Sequence, residues 1–259
     1  MAGCASVHLN ISPVSQNQTV EESDANGVAT WAILPPSYNP QIANPWIIYN
    51  HGIGQSIASV AASPPQSNFV HSLTTAGFVV IASNYRDLAC WGNQECVEDI
   101  SNLQTLWRSR LNLSPRPFVI GESMGGIVTW NAISHGALKP LAIVGIYPVC
   151  NLKSVYSERA FVPTIRTAYD FALSSGYSAA TKGFDPMLAS PSTFVVFPIQ
   201  IWASYRDHSV FRSQNADAFA QAINAAGGTV TVNTSRGRHG DPSNFDAAAV
   251  IAFFSSFRS

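Results

Sequence analysis

The stretch Phe118-Val-Ile-Gly-Glu-Ser-Met-Gly-Gly126 decides how this chain is read. Residues 118–120 predict a short buried strand, and residues 126–131 (Gly-Ile-Val-Thr-Trp-Asn) predict a helix that packs against the sheet. Between them Gly121-Glu-Ser123-Met-Gly125 has the form Gly-x-Ser-x-Gly. A serine on so tight a strand-to-helix turn needs small residues on both sides, so that the bent backbone avoids a clash and the hydroxyl stands clear. Ser123 is therefore the candidate nucleophile. The five-residue pattern is short, and the strand before it and the helix after it supply the context that gives it weight.

Outward from this turn, strand-like and helix-like segments alternate, which predicts a mostly parallel sheet covered on both faces. Residues 7–11 and 28–34 predict an opening pair of strands, separated by a polar stretch over 12–26. Further strands are expected over 45–49, 78–82, 141–147, 198–203 and 229–234. Ser63 is placed to cap a helix carrying Phe69, Val70, Leu73 and Ala76 that stops at Gly77. Ile100, Leu103 and Trp107 mark the next helix, Ala216, Phe219, Ala220 and Ile223 another, and Val250, Phe253, Phe254 and Phe257 a closing one. Over about 151–197 the pattern weakens and Pro163, Pro186 and Pro191 interrupt it, which predicts a small inserted cap or lid. At 259 residues the whole chain is expected to form one domain.

With 14 basic against 15 acidic residues the net charge is -1, which gives no electrostatic reason to expect nucleic acid or an anionic membrane as partner. Charged residues make up only 11% of the chain, so Ser, Asn, Gln and Thr must supply the polar surface, a balance that favours a secreted or cell-envelope protein over a cytoplasmic one. No apolar run approaches the roughly 20 residues of a membrane span, and no leader precedes the first strand. Met1-Ala-Gly-Cys4 resembles the end of a bacterial lipoprotein signal without its apolar segment. Cys90 and Cys96 enclose Trp-Gly-Asn-Gln-Glu, either as a local disulfide or as two thiols, and Cys150 reads as buried. No Cys-x-x-Cys or tight Cys/His set suggests a metal.

A serine hydroxyl is a poor nucleophile at neutral pH, so it needs a histidine to take its proton and a carboxylate to hold that histidine in one tautomer. Both must arrive on loops at the same end of the sheet as Ser123. His239 follows the last expected strand in Arg236-Gly-Arg-His-Gly240, where flanking glycines let the backbone deliver the side chain into a cleft. Asp207 follows the preceding strand in Ser204-Tyr-Arg-Asp-His-Ser-Val210. The chain order is Ser, Asp, His.

On these residues the chain resembles the α/β-hydrolases, from about residue 45 to the C-terminus. The family's nucleophile turn corresponds to Gly121 to Gly125, its acid turn of the form Gly-x-x-Asp-x-x-Val to Ser204 to Val210, and its late Gly-x-His-Gly to Gly237 to Gly240. Ser204 departs from the usual glycine. The resemblance implies an α/β-hydrolase fold, and it implies that His51-Gly-Ile-Gly54 is the oxyanion segment, with the backbone amides of Ile53 and Met124 holding the developing oxyanion.

Rival residues are set aside on similar grounds. His51 is expected to shape its loop, His208 would compete with Asp207 for the same space, and His8, His71 and His135 read as surface or core residues. Asp241 and Asp246 follow His239 too closely to approach it from the far side, which leaves Asp185 as the fallback acid. Glu122 is expected to be solvated or salt-bridged at a helix start, with no catalytic role. Trp91, Phe161, Tyr169 and Tyr205 are candidates to line an acyl or alcohol pocket, or else core filling. Arg206 and Arg238 flank the acid and the base.

The function expected is a serine carboxylesterase that forms an acyl-enzyme on Ser123, without metal or organic cofactor, from a small-molecule or polymeric ester. The elbow with Met after the serine also resembles those of monoacylglycerol lipases and cutinase-like polyester hydrolases. A polyester or lipid hydrolase and a prolyl-oligopeptidase-like peptidase are the alternatives among enzymes. A non-catalytic binding protein with the same fold is the rival from another class. Acyl length, alcohol identity and oligomeric state are left open.

Overall fold

The computed structural model describes residues 17–258. The strand expected over 7–11, His8 and the Met1-Ala-Gly-Cys4 segment lie outside them. In chain order the elements are β1 (Gln18–Ser23), β2 (Ala29–Leu34), β3 (Trp46–Asn50), α1 (Ile57–Ala62), α2 (Gln66–Thr75), β4 (Val79–Ser83), α3 (Gln94–Arg110), β5 (Phe118–Glu122), α4 (Met124–Ser134) and β6 (Ile143–Ile146). There follow α5 (Leu152–Tyr156), α6 (Val162–Ala168), α7 (Tyr177–Ala180), β7 (Pro198–Ala203), α8 (Ala216–Ala225), β8 (Thr229–Thr234) and α9 (Ala247–Ser255).

The strands form one eight-stranded sheet in the order β1-β2-β4-β3-β5-β6-β7-β8. β1 pairs antiparallel with β2, β2 antiparallel with β4, and every other neighbour is parallel. Every residue of β3, β4, β5 and β6 is buried. That follows from helices on both faces, and side-chain alternation along each strand sorts the residues between them. Trp46, Ile48, Val119 and Ile143 join the apolar cluster under α3, α4 and α8, whereas Ile47, Tyr49, Phe118 and Val144 join the one under α1, α2 and α9.

The structure corrects the sequence in three places. The polar stretch over 12–26 contains β1, the edge strand among the described residues, whose residues alternate between half-buried and exposed. Helix α1 was not expected; Ser56 caps it through a reciprocal pair with Ser59, and it is too short to show a helical period. Ser63 ends α1 and does not cap α2, which starts after Pro65 without a side-chain cap. Between β6 and β7 lie α5, α6 and α7, and Leu152, Val155 and Ile165 from this stretch are buried in the same cluster as α3 and α4.

Candidate active site

Strand β5 delivers Ser123 into a backbone conformation with φ 52° and ψ -119°, a strained region for a residue with a side chain. Hydrogen bonds fix it there: Ser123 N–H donates to Ile146 O on β6 at 3.0 Å, and Ser123 O accepts from Gly126 N at 2.9 Å and from Val149 N at 2.8 Å. The two glycines of the motif are required by close approach. A Cβ at Gly125 would overlap the Asn50 carbonyl oxygen, and one at Gly121 would lie 2.8 Å from both Gly125 O and Thr129 Oγ1. The turn closes only because neither residue has a side chain.

Three residues that are far apart in sequence meet here. Ser123 Oγ lies 2.9 Å from His239 Nε2, and His239 Nδ1 lies 2.7 Å from Asp207 Oδ2. With Nδ1 donating to the carboxylate, Nε2 is left as the acceptor for the Ser123 hydroxyl. Asp207 is 2% exposed, and its other oxygen, Oδ1, accepts from the amides of Ser209 and Val210 at 2.9 Å each. Ser204, the departure from the usual glycine, helps to fold this turn, because its Oγ accepts from Arg206 N at 3.0 Å.

The segment after β3 lies against the nucleophile. A Cβ built on Gly52 would be 3.4 Å from Ser123 Cβ. Among the described residues no protein group accepts from the amides of Ile53 or Met124, while Gly52 N–H is taken by Gln55 Oε1 at 2.7 Å. Two amides are thus free beside Ser123 in the fold, one on the loop that lines the same cleft and one at the next residue, the start of α4. His51 is fully buried, donates from Nδ1 to Gly52 O at 3.0 Å and packs on Tyr85. Burial lowers its pKa and keeps the ring neutral.

The remaining candidates stand apart from this cluster. His208 is exposed. Asp185 is bonded to the amides of Leu152, Lys153 and Met187, so it braces the segment between β6 and β7. Asp241 caps the turn that follows His239, and Asp246 caps α9. Arg206 and Arg238 are exposed. A cleft of about 160 Å³ at the serine is lined by Gly52, Ile53, Gln55, Gln66, Glu122, Ser123, Tyr147, His239 and Gly240. None of the four aromatic candidates is among them: Trp91 packs on Phe161, Tyr169 Oη bonds to Trp91 O, and Tyr205 lies 68% exposed beside Arg212. Glu122 is also corrected, being 1% exposed and bonded to neutral side chains instead of solvated or salt-bridged.

The buried sulfur atoms of Cys90 and Cys96 face each other at 2.6 Å, and Cys150 is a buried thiol. Among the described residues no helix is long and apolar enough to cross a membrane. The sequence offered no signal for Gln66, Tyr49 or Tyr147 as neighbours of the site, since each reaches Glu122 through tertiary contact, whereas Gln55 directly follows the His51–Gly54 segment.

The sheet order, the helices on both faces and the serine turn after β5 together define the α/β-hydrolase fold, and solved structures agree. The acylaminoacyl peptidase of Pyrococcus horikoshii is 15% identical with a TM-score of 0.72, over 94% of this chain and 42% of that one. A puromycin-hydrolyzing peptidase of Mycobacterium tuberculosis is 20% identical with a TM-score of 0.73, over 96% of this chain and 40% of that one. Carboxyl esterase 2 of the mycorrhizal fungus Tuber melanosporum is 17% identical with a TM-score of 0.66, over 95% of this chain and 87% of that one. The chain therefore spans about two fifths of the length of the two peptidases. No protein-family model and no curated protein sequence matches it.

Proposed function

We propose that the protein is a serine hydrolase of carboxylic esters. The observation that carries this reading is the continuous chain of hydrogen bonds from Ser123 Oγ through His239 to Asp207. In the mechanism, His239 Nε2 takes the proton as Ser123 Oγ attacks the ester carbonyl. Asp207 holds the ring in the tautomer that can accept that proton and stabilises the imidazolium that forms. The amides of Ile53 and Met124 are assigned to the oxyanion, usually the largest single catalytic contribution. His239 then returns the proton to the departing alcohol, leaving an acyl group on Ser123. Water, activated by the same histidine, releases the acid.

Likeness to a carboxyl esterase and to a fungal esterase over most of their length supports ester over amide. A second reading, peptide hydrolysis, has the support of the likeness to acylaminoacyl and puromycin-hydrolyzing peptidases. Turnover of p-nitrophenyl esters beside that of acyl-aminoacyl p-nitroanilides tests the choice. Ester turnover with anilides left intact is expected; cleavage of the anilides alone would replace the esterase reading with the peptidase one.

A further inference from the structure

A buried carboxylate sits next to the serine with no cation to balance it. Glu122 accepts hydrogen bonds from Tyr49 Oη at 2.5 Å, Tyr147 Oη at 2.5 Å, Gln66 Nε2 at 2.8 Å and Gln55 Nε2 at 3.3 Å. Among the described residues it makes no ion pair. Burial and the neighbouring carboxylate push both phenols up, so both hydroxyls stay protonated and donate. Removing a carboxylate from water is costly, and a network whose members are all satisfied holds its parts in a single arrangement.

Two of the donors reach the two halves of the candidate site. Gln55 spans from Glu122 to Gly52: its Nε2 donates to the carboxylate and its Oε1 accepts Gly52 N–H at 2.7 Å. That bond holds the peptide between His51 and Gly52, and the next peptide, which carries the free Ile53 amide, is held at Gly52 O by His51 Nδ1 at 3.0 Å and by Gln55 N–H at 3.3 Å. Tyr147 holds φ at 36°, a conformation a tyrosine adopts only under constraint, and its ring lies 4.4 Å from the His239 ring. The same carboxylate thus ties the loop at Gly52 to the residue that backs the histidine.

We propose that Glu122, acting through Gln55 and Tyr147, is a positioning residue that sets the Ile53 amide and the His239 ring relative to Ser123. This rests on the reading of Ser123, His239 and the two amides as catalytic. Glu122 makes and breaks no bond in the reaction. Its effect is geometric, and displacing a reacting group by about 1 Å can cost about 100-fold in rate.

The test is kcat and KM on p-nitrophenyl butyrate, per active site counted by fluorophosphonate titration, for wild type, Gln55→Ala, Glu122→Gln and the double variant. Each single change is expected to lower kcat by roughly 10-fold to 100-fold with KM within about threefold. The double variant is expected to be no slower than the worse single one, because Glu122→Gln already interrupts the connection that Gln55→Ala removes. Wild-type kcat in Gln55→Ala, a loss that falls on KM, or additive losses would overturn the proposal. Gln55 is half-buried on a loop, so wild-type kcat in its variant overturns the proposal even where Glu122→Gln fails to fold. Wild-type protein inactive on the ester would overturn the nucleophile reading and this one with it; active wild type with unaffected variants would overturn only this one.

Discussion

Asp207 divides its carboxylate between its own turn and His239. Oδ1 accepts from the amides of Ser209 and Val210, and Oδ2 faces His239 Nδ1 at 2.7 Å. The turn therefore dictates which oxygen meets the histidine.

This split predicts the effect of Asp207→Asn. An amide oxygen can keep the two turn bonds, which leaves an NH2 group facing Nδ1. The imidazole must then present a lone pair at Nδ1 and carry its proton at Nε2, where it can no longer accept from Ser123. The variant should keep its thermal midpoint within a few degrees and lose about 10,000-fold in kcat, with a small residual rate. Steady-state kinetics beside a thermal melt checks both halves, and full activity would show that the acid lies elsewhere.

Gly125→Ala should fail for a different reason. Its Cβ would overlap the Asn50 carbonyl oxygen, and both backbones are pinned, Gly125 in α4 and Asn50 in β3. Overpacking without room to move costs about 3 kcal/mol, or roughly 6 °C or more in the thermal midpoint for a chain of this size. Differential scanning calorimetry reads the shift, and an unchanged midpoint would contradict the packing described for the turn.

Acyl preference follows from the size of the cleft. At about 160 Å³ it is smaller than the roughly 300–1,000 Å³ of pockets that enclose drug-sized ligands. Among p-nitrophenyl esters from acetate to palmitate, kcat/KM is expected to peak at butyrate or shorter. An optimum at ten carbons or more would point to the lipid-hydrolase alternative.

The thiols make a separate prediction. Cys96 and Cys150 are fully buried and burial pushes both up, which leaves little thiolate at neutral pH, and Cys90 is 2% exposed. Iodoacetamide applied to native protein should label none of the three, as read by peptide mass mapping. Labelling of Cys150 without prior denaturation would mean that the core around α4 and α5 opens.

The parallel core and the triad geometry were legible because they rest on local signals. Apolar runs such as 118–120 can only be buried strands beside a Gly-x-Ser-x-Gly turn, and a loop that follows a parallel strand emerges at the same edge as its neighbours. Strand β1 was hidden because an edge strand with one wet face needs few apolar residues, and Val20 is its only one. Glu122 misled for a related reason: a charge at a helix start is ordinarily solvated, and its four donors come from residues 49, 55, 66 and 147, whose convergence no local pattern records. The same limit applies to Trp91, Phe161 and Tyr169. Loop position left pocket wall and core filling both open, and Trp91 turns inward into the core and donates from its indole to Thr164 Oγ1 at 3.0 Å.

The most direct test of the central claim is mass spectrometry of the intact protein after reaction with a fluorophosphonate, followed by mapping of the modified peptide. One adduct on Ser123, absent from Ser123→Ala protein and strongly slowed in His239→Ala, is the predicted result. No adduct on folded wild-type protein, or an adduct on another residue, would contradict the assignment of Ser123 as the nucleophile.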